Sequence, residues 1–426
     1  MSTIYAVSSG APPAAIAVLR ISGPDALAAA TALAGPLPDD RRATLRALRD
    51  PADQAILDRA LVLVFRAPTT ATGEDLVELH LHGGRAVVAA VERTLAVMPG
   101  LSPAQPGDFT RRALTNGRID LTEAEGLGDL LTAETESQRR AAMFTAEGGL
   151  RRHVATWSDR ILAMSARVEA ELDFADEDDV DAADLDAVKV AALRLADEID
   201  ALVGQPPVER LRDGIRVVLA GPPNSGKSTL LNALIDRDAA IVSPIAGTTR
   251  DRIDAPVHRD GIAYVLTDTA GLAAVTLDPI ERMGIERTRS AMDFADVLLW
   301  LGDSDAPRGA LWVHSRADEA GREVLPAGRD LAVSAATGAG IAALWQGIAS
   351  RARQLLPRLD EVVLNERQRA LAGEAAALLR TVGDHQDPLL IAEQLRYALA
   401  TIDRITGHSD TEAMLDALFG KFCIGK

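Results

Sequence analysis

The chain has 426 residues, of which 47% are hydrophobic and 25% are charged, and its formal net charge is −17. This length predicts two or three domains, each able to bury a core, and the composition excludes disorder on a large scale. The negative charge argues against a protein that coats polyanions non-specifically, because that role needs a broad cationic surface.

The N-terminal region lacks a secretion or membrane signature. No cationic segment precedes a long apolar run, and no window approaches 18 uninterrupted apolar residues, so we expect a cytoplasmic protein with no membrane contact. Cys423 is the only cysteine, which excludes an internal disulfide framework. Residues 1–118 mix strand-like and helical runs with Gly/Pro turns, the pattern of an α+β domain.

Residues 119–213 are predicted to form the first part of a helical domain. The stretch from Leu121 to Phe174 has helical periodicity and few turn residues, and the Pro/Gly linker "VGQPPVERLRDG" ends the region. Residues 171–187 hold nine carboxylates and no base. A metal site needs particular geometry, so a solvated connector or helix start is the preferred interpretation of this acidic run.

A phosphate-binding loop follows the linker. "IRVVLAGPPNSGKSTLLNALI" is an apolar strand, then Gly221-x-x-x-x-Gly226-Lys227-Ser228, then an amphipathic helix. Lys227 can reach the β and γ phosphates, and the Ser228 hydroxyl can ligate Mg²⁺. A plain glycine turn before a helix is the alternative. The nucleotide candidates here are Asn224, Ser225, Gly226, Lys227, Ser228 and Thr229.

The next motifs are typical of GTPase switch segments. Alternating residues around "RDG" predict a hairpin that closes on "DTAG". Thr249 is the candidate second hydroxyl on Mg²⁺, and Asn224 could join neighbouring carbonyls around a monovalent cation or serve only as a turn residue. Leu272 follows "DTAG" and cannot orient water, so another group must. The nucleotide candidates are Ser243, Pro244, Ile245, Ala246, Gly247, Thr248, Thr249, Asp268, Thr269, Ala270 and Gly271.

Two later segments resemble a guanine-recognition site. In "SRAD", Asp318 keeps a carboxylate that can accept from guanine, Arg316 keeps a long stem, and Ser315 replaces the usual amide. Ser334, Ala335 and Ala336 occupy the usual position of the O6 contact. The apparent strands "ADVLLWL" and "ALWVHS" are separated by only eight residues, 302–309, which predicts a missing or reduced crossover helix.

Helical patterns resume over residues 357–426, so we predict a helical domain interrupted by an inserted nucleotide domain at 214–356. The terminal "FCIGK" is no lipidation box, since Gly425 is not aliphatic and Lys426 is an unusual final residue. A reactive Cys423 thiol and a thiol without a role remain the two interpretations. His80 and His82 share a strand face but lack a third ligand, which favours a structural role.

Together these motifs resemble the tRNA modification GTPase family MnmE (TrmE). "GPPNSGKSTLLNAL", "AIVSPIAGTTRD", "DTAG…ERMGIERT" and "FCIGK" carry the resemblance, and "AVLRISGP", "TGEDLVELHLHGG" and "PGDFTRRALTNGRIDLTEAEGLGDLL" extend it over nearly the whole chain. It implies a multi-domain fold that combines α/β and α+β structure. The implied parts are an α+β folate-binding and dimerisation domain at 1–118, an all-α helical domain at 119–213 and 357–426, and an inserted Ras-like P-loop G domain at 214–356.

The resemblance also assigns roles. It implies K⁺ ligation by Asn224, Ser243, Ile245 and Thr248. Glu281 would orient the attacking water, although it is also an ordinary carboxylate at a helix start. Catalytic roles would fall on Glu281, Cys423 and Lys227. The implied folate contacts are Arg20, Glu78, Arg118 and Lys426.

The activity implied by the resemblance is GTP hydrolysis coupled to modification of carbon 5 of wobble uridine 34 in the tRNA anticodon loop. The cofactors would be GTP, Mg²⁺, K⁺ and 5-formyl- or 5,10-methylene-tetrahydrofolate. A homodimer and a heterotetramer with an FAD-dependent MnmG/GidA-type partner are implied. The alternatives are a regulatory RNA-binding or ribosome-assembly GTPase without modification chemistry, and a folate-binding protein whose G domain no longer cycles.

Overall fold

The computed structural model describes residues 2–174, 185–236, 254–269, 292, 294–357, 362–407, 418–420, 422 and 424–425. The chain divides into two compact units, the first from residues 1–128, 145–154 and 403–426, and the second from residues 129–144 and 155–402. None of the helices described has the length and apolar character needed to cross a membrane.

The first unit contains a six-stranded sheet. Its strands are β1 (Thr3–Val7), β2 (Ile16–Ser22), β3 (Thr44–Arg49), β4 (Ile56–Phe65), β5 (Leu76–His82) and β6 (Leu101–Pro103). They lie in the order β3-β4-β5-β2-β1-β6, and only the β1–β6 pair is parallel. Burial alternates along β4, so one face of this strand is apolar and inward.

Helices α1 (Ala26–Ala34) and α2 (Arg85–Ala96) contact the strands of this sheet. Leu19, Leu79 and Val91 are fully buried members of the core that the helices and strands share. Burying one large aliphatic side chain contributes about 1.5–3 kcal/mol. The α+β character predicted for the N-terminal region is confirmed.

The run from Leu121 to Phe174 is three helices in the structure. They are α4 (Leu121–Thr132), α5 (Glu136–Ala146) and α6 (Gly149–Phe174), preceded by the shorter α3 (Asp108–Thr115). Before α5, the Gln138 side chain accepts from the backbone N–H groups of Glu134 and Thr135, and the Thr135 hydroxyl accepts from the Gln138 N–H. This reciprocal capping starts a new helix, and Gly148 at φ 76° separates the next.

The second unit contains the other six-stranded sheet. Its strands are β7 (Ile215–Ala220), β8 (Asp254–Arg259), β9 (Ile262–Asp268), β10 (Val297–Trp300), β11 (Leu311–His314) and β12 (Leu331–Ala332). Their order is β12-β11-β10-β7-β9-β8, and only β8 and β9 pair antiparallel. Asp260 and Gly261 turn this hairpin with φ of 50° and 78°. The predicted hairpin is confirmed.

The other helices that the structure describes include α7 (Leu185–Val203), α8 (Glu209–Arg212), α9 (Lys227–Asp236), α10 (Ile341–Leu355), α11 (Glu366–Val382) and α12 (Pro388–Thr406). Helices α7 and α11 pack together, and Arg380 on α11 bonds Asp197 and Asp200 on α7. Helix α11 begins at a capping box between Asn365 and Gln368. The helical pattern expected over residues 411–420 falls mostly outside the described residues.

The connection between β10 and β11 holds no helix from residue 301 to residue 310, as its length predicted. Two tryptophan side chains bond to it instead. The Trp300 indole donates to the Ser304 carbonyl at 3.1 Å, and the Trp312 indole donates to the Gly302 carbonyl at 2.8 Å. A Cβ at Gly302 would lie 2.7 Å from the Trp300 ring, so glycine lets the connection lie close against the ring.

Candidate functional site

Those predicted nucleotide residues that the structure describes collect at one edge of the second sheet. The P-loop follows β7, Asp268 ends β9, Ser315 follows β11 and Val333-Ser334 follows β12. These strands are parallel and in register, with Leu219 opposite Asp268 and His314 opposite Ala332. Because the carboxyl ends of parallel strands share one edge, segments nearly 120 residues apart in sequence meet there, where α/β proteins bind ligands.

The P-loop backbone depends on its glycines. Gly221 and Gly226 have φ of 153° and 90°, and a Cβ at Gly221 would lie 3.0 Å from the Ser225 hydroxyl and 3.2 Å from the Gly302 nitrogen. Asn224 is exposed with φ 61°, a conformation that asparagine tolerates better than most residues. Its turn role therefore has a physical basis, and its proposed K⁺ role stays a prediction.

Lys227 starts α9 and lies across the loop. Its Nζ donates to the Gly221 carbonyl at 3.0 Å and to the Pro222 carbonyl at 2.9 Å, and the residue is only 6% exposed. Burial lowers the pKa of Lys227, while the charge of Asp268 opposes that shift. A buried ammonium gains from nearby negative charge, so the loop is suited to an anionic ligand such as a polyphosphate.

Ser228 and Asp268 present a pair of oxygen ligands beside the loop. The Ser228 hydroxyl donates to the Asp268 carboxylate, and the neighbouring Thr269 hydroxyl donates to the Leu219 carbonyl at 2.9 Å. Hydroxyl and carboxylate oxygens are the ligands that Mg²⁺ prefers in nucleotide sites. The pair therefore fits the predicted magnesium position.

A cavity of about 150 Å³ adjoins the P-loop. Its lining includes seven of the predicted nucleotide residues together with residues of α9 and of the segments that follow β11 and β12. They are Gly226, Thr229, Leu230, Ser315, Arg316, Asp318, Glu319, Val333, Ala335 and Ala336. Ser334 itself is buried and caps the following turn, its hydroxyl accepting from the Thr337 N–H at 3.0 Å. The structure thus brings the predicted phosphate and base residues to one place.

Ser315 links the two halves of this cavity. It is 3% exposed, and its hydroxyl donates to the P-loop carbonyl of Ser225 at 2.6 Å. The Arg322 Nε donates to the Ser315 carbonyl at 3.1 Å. Sequence analysis showed only that Ser315 lacks an amide. The structure adds that its hydroxyl connects the predicted base-binding segment Ser315–Asp318, called the base segment below, to the P-loop.

A charged cluster behind Ser315 was missed by sequence analysis. The Asp303 carboxylate accepts from Arg322 and Arg329, and these hydrogen bonds lower its pKa to about 2. Buried His314 accepts from Arg329 at Nδ1 and donates from Nε2 to the Arg322 carbonyl, which assigns the Nε2-protonated tautomer. Asp303 belongs to the short connection after β10, so the feature that replaces a crossover helix also supports the base segment.

The first unit holds the residues expected to bind folate. Arg20 on β2 and Glu78 on β5 face each other in register, and Arg20 Nε donates to Glu78 Oε1 at 2.8 Å. His80 contacts the other oxygen of Glu78 at 3.2 Å. Arg118 is exposed and donates to the Thr70 carbonyl at 3.2 Å. Arginine and carboxylate groups of this kind can recognise the donor and acceptor edges of a pterin and the carboxylates of a folate tail.

The two histidines of β5 each contact a carboxylate. His82 Nδ1 lies 2.7 Å from Asp58 Oδ1, and His80 contacts Glu78. Within the described part of the chain, no cluster of three or more metal-ligating side chains occurs. The structural role of this histidine pair stays a prediction.

The described residues of the C-terminal tail pack on the first unit. Ile424 forms an antiparallel bridge with Pro106, and the Gly425 carbonyl accepts from the Ser8 hydroxyl at 2.7 Å. Phe419 and Phe422 pack with Ala124 in a small apolar cluster. Val7, adjacent to Ser8, pairs with Leu19 beside Arg20. The expectation that the tail returns to the N-terminal domain is confirmed for these residues.

Several predicted site residues lie outside the described residues, and their roles stay predictions. They are Ser243, Pro244, Ile245, Ala246, Gly247, Thr248, Thr249, Ala270, Gly271, Glu281, Cys423 and Lys426. The acidic run is described only at its two ends.

The largely parallel sheet, with its P-loop and adjoining cavity, places the second unit among the P-loop nucleotide-binding proteins. Comparison with known proteins is more specific. Residues 3–118 match the family model "GTP-binding protein TrmE N-terminus", and residues 121–423 match "MnmE helical domain". The chain therefore belongs to the MnmE (TrmE) family of tRNA modification GTPases, a family of GTP hydrolases, and the resemblance drawn from its motifs is confirmed.

Relatives match along the whole chain. The tRNA modification GTPase MnmE of Erythrobacter litoralis is 56% identical over 427 residues, covering 100% of both proteins. The tRNA modification GTPase MnmE of Rhizorhabdus wittichii is 56% identical over 431 residues, covering 100% of this chain and 96% of the relative. The G domain of the T. maritima FeoB iron transporter aligns at 22% identity over 32% of this chain and 98% of its own, and its TM-score of 0.22 is too low to establish a shared fold.

Proposed function

We propose that this chain is a K⁺- and Mg²⁺-dependent GTPase of the cytoplasm. With an FAD-dependent MnmG/GidA-type partner, it would install a carboxymethylaminomethyl-type group on carbon 5 of wobble uridine in certain tRNAs. The observation that carries the proposal is the cavity shared by the P-loop and the Ser315–Asp318 segment, in a chain that matches tRNA modification GTPases over its full length. The working assembly would be a homodimer that joins its partner as a heterotetramer.

In the hydrolytic step, water attacks the γ-phosphate of GTP and releases GDP and phosphate. Lys227 would hold the β and γ phosphates, Ser228 and Thr249 would hold Mg²⁺, and Glu281 would orient the water. Asn224, Thr248 and the carbonyls of Ser243 and Ile245 would hold K⁺. Bound there, the two cations would supply positive charge against the charge that develops on the phosphate oxygens.

In the modification step, the first unit would bind a tetrahydrofolate one-carbon donor. Arg20, Glu78, Arg118 and Lys426 would hold the folate, and Cys423 would act as a reactive thiol near the substrate. A cation such as Lys421 or Lys426 beside the thiol would favour the thiolate. Wobble uridine lies in a single-stranded loop, so it can be turned out of the stack without opening a duplex.

The test is nucleoside chromatography of tRNA from cells that lack this protein. We expect the modified wobble uridine to disappear, to return with the wild type, and to stay absent with Lys227→Met or Cys423→Ser. GTP turnover by the purified protein in KCl and in NaCl tests the potassium requirement, and we expect turnover to fall in NaCl.

Two outcomes would favour the alternatives. Unchanged wobble uridines in the deletion strain, with GTP turnover intact, would point to a regulatory RNA-binding GTPase. Folate binding without GTP turnover would point to a folate-binding protein whose G domain no longer cycles. Restoration of the modified nucleoside by Cys423→Ser would remove the thiol from the proposal and leave the rest in place.

A further inference from the structure

Ser315 lines the cavity next to the P-loop, but its hydroxyl proton is already donated within the protein. It donates to the Ser225 carbonyl at 2.6 Å, and a carbonyl oxygen can only accept. A serine hydroxyl has one proton, so Ser315 has no donor left for a ligand. Its burial at 3% exposure and the bond from Arg322 to its carbonyl hold it in this arrangement.

The edges of guanine require different partners. Its N1–H and exocyclic amine are donors, which an acceptor-only carboxylate such as that of Asp318 can bind. Its N7 and O6 are acceptors and need donors. A side-chain amide has two N–H donors and could serve both a P-loop carbonyl and a purine N7, whereas the Ser315 hydroxyl can serve only the carbonyl.

With guanine bound by Asp318, as the proposed function assumes, we propose that this chain leaves N7 of the base without a side-chain hydrogen bond from the Ser315 position. This specificity rests on the proposed function, since it assumes that a guanine nucleotide occupies the cavity. The consequence is tolerance of changes at N7. A 7-deazaguanine nucleotide, in which a C–H group replaces N7, should bind as tightly as the natural nucleotide.

Thr229 and Arg316 are the other donor-bearing side chains that line this cavity. Thr229 belongs to the P-loop segment that is expected to bind the phosphates. The Arg316 Nε is buried without a hydrogen-bond partner, and the Arg316 Cγ lies 3.4 Å from the position of a Cβ at Gly226. The stem therefore packs against the P-loop glycine, where it can cover a base, and the Arg316 Nη1 lies 3.5 Å from Glu319 Oε2. The N7 lone pair lies in the plane of the ring, where a group covering the ring face does not reach it.

The experiment is isothermal titration calorimetry of the full-length protein with GDP, 7-deaza-GDP and ADP. For the wild type we expect GDP and 7-deaza-GDP to agree within about two-fold, because a lost hydrogen bond would cost about 0.5–1.5 kcal/mol and change the Kd by about 2- to 12-fold. ADP should bind far more weakly, since its N1 is an acceptor facing the Asp318 carboxylate.

Two variants at Ser315 sharpen the test. Ser315→Asn adds a second donor and should prefer GDP over 7-deaza-GDP by about five-fold or more. Ser315→Ala loses the link to the P-loop, so both nucleotides should bind more weakly by the same factor. Asp318→Asn exchanges the carboxylate for an amide and should lose GDP affinity, which checks that the base lies against this residue.

Three results would overturn the inference. The first is a preference of the wild type for GDP over 7-deaza-GDP of more than about two-fold. The second is a change in that ratio in Ser315→Ala, and the third is a wild-type preference that Arg316→Met abolishes. Failure of the proposed function has a different signature, because GDP would then fail to bind or ADP would bind equally well, and the inference would fall with it.

Discussion

The nucleotide cavity of the second unit and the Arg20–Glu78 pair of the first are assembled by different parts of the backbone. The cavity is lined by loops and strand ends from residue 226 to residue 336, and it depends on ties such as the bond from Ser315 to Ser225. Arg20 and Glu78 lie directly opposite each other on neighbouring antiparallel strands. The nucleotide cavity can therefore be disturbed by changes at a distance from it. The strands that carry Arg20 and Glu78 should keep their geometry when either charge is removed.

The largest expected effect comes from Lys227, whose charge lies inside the loop. We expect Lys227→Met to lower GTP turnover by about 10²–10³-fold, because it removes a donor placed against developing phosphate charge. Phosphate release by the purified protein measures this. Lys189→Met is the matched control, since Lys189 is also a buried lysine but bonds Gln386 in the helical part of the unit. Turnover of Lys227→Met within ten-fold of the wild type would contradict the assigned role.

The Arg20–Glu78 pair should show a smaller effect confined to folate. Arg20→Met and Glu78→Gln should each weaken binding of 5-formyltetrahydrofolate by about ten-fold or more, because hydrogen bonds to charged groups contribute about 1.5–3 kcal/mol. GDP affinity should not change. Calorimetry measures both ligands. Arg46→Met, on β3 of the same sheet, is the control, and an equal loss of folate affinity in that variant would remove the specific role of the pair.

The docking of the tail should be sensitive to one methyl group. Gly425 has φ 91°, and a Cβ there would lie 2.3 Å from the Val7 carbonyl. Gly425→Ala should therefore displace the tail and lower the free energy of unfolding by about 1–2 kcal/mol. Thermal unfolding and hydrogen exchange at the amides of β1 measure this. Gly10→Ala is the control because its Cβ would meet nothing within 4 Å, and equal effects of the two variants would argue against tail docking.

The smallest effect concerns pH. The hydrogen bonds from Arg322 and Arg329 lower the pKa of Asp303 from 3.8 to about 2. A lowered carboxyl pKa stabilises the fold above the unfolded-state value, and this contribution is lost as pH falls from about 4 through about 2. Because the Asp303 side chain is 63% exposed, the contribution at pH 7 should stay below about 1 kcal/mol.

Denaturant unfolding of wild type and Asp303→Asn between pH 7 and pH 2 measures this. The gap in stability should close with acidification. Asp305→Asn, on the same connection, provides the control. A gap that widens toward low pH would contradict the assigned hydrogen bonds.

Sequence patterns predicted the elements whose signals are local. The β8–β9 hairpin, the P-loop between β7 and α9, and the helix-free connection after β10 all follow from residue spacing and turn chemistry. The run from Leu121 to Phe174 is helical as predicted, and the structure adds two breaks that its periodicity does not show. Those breaks depend on the Thr135–Gln138 capping interaction and the positive φ of Gly148, which are weak signals beside a long apolar pattern.

By itself the sequence determined the family and the phosphate loop, and it predicted the base-binding segment Ser315–Asp318, because each depends on residue types at short, fixed spacings. The tertiary structure alone decided which donors of that base segment remain for a ligand. Ser315 and Ser225 are 90 residues apart in sequence, and Arg322 and Asp303 are 19 residues apart. Only the parallel register of β7 and its neighbours brings the members of each pair together. Because the Ser315 hydroxyl donates its one proton to the Ser225 carbonyl, it cannot donate a hydrogen bond to a base. The spacing of residues in the sequence does not reveal that hydrogen bond.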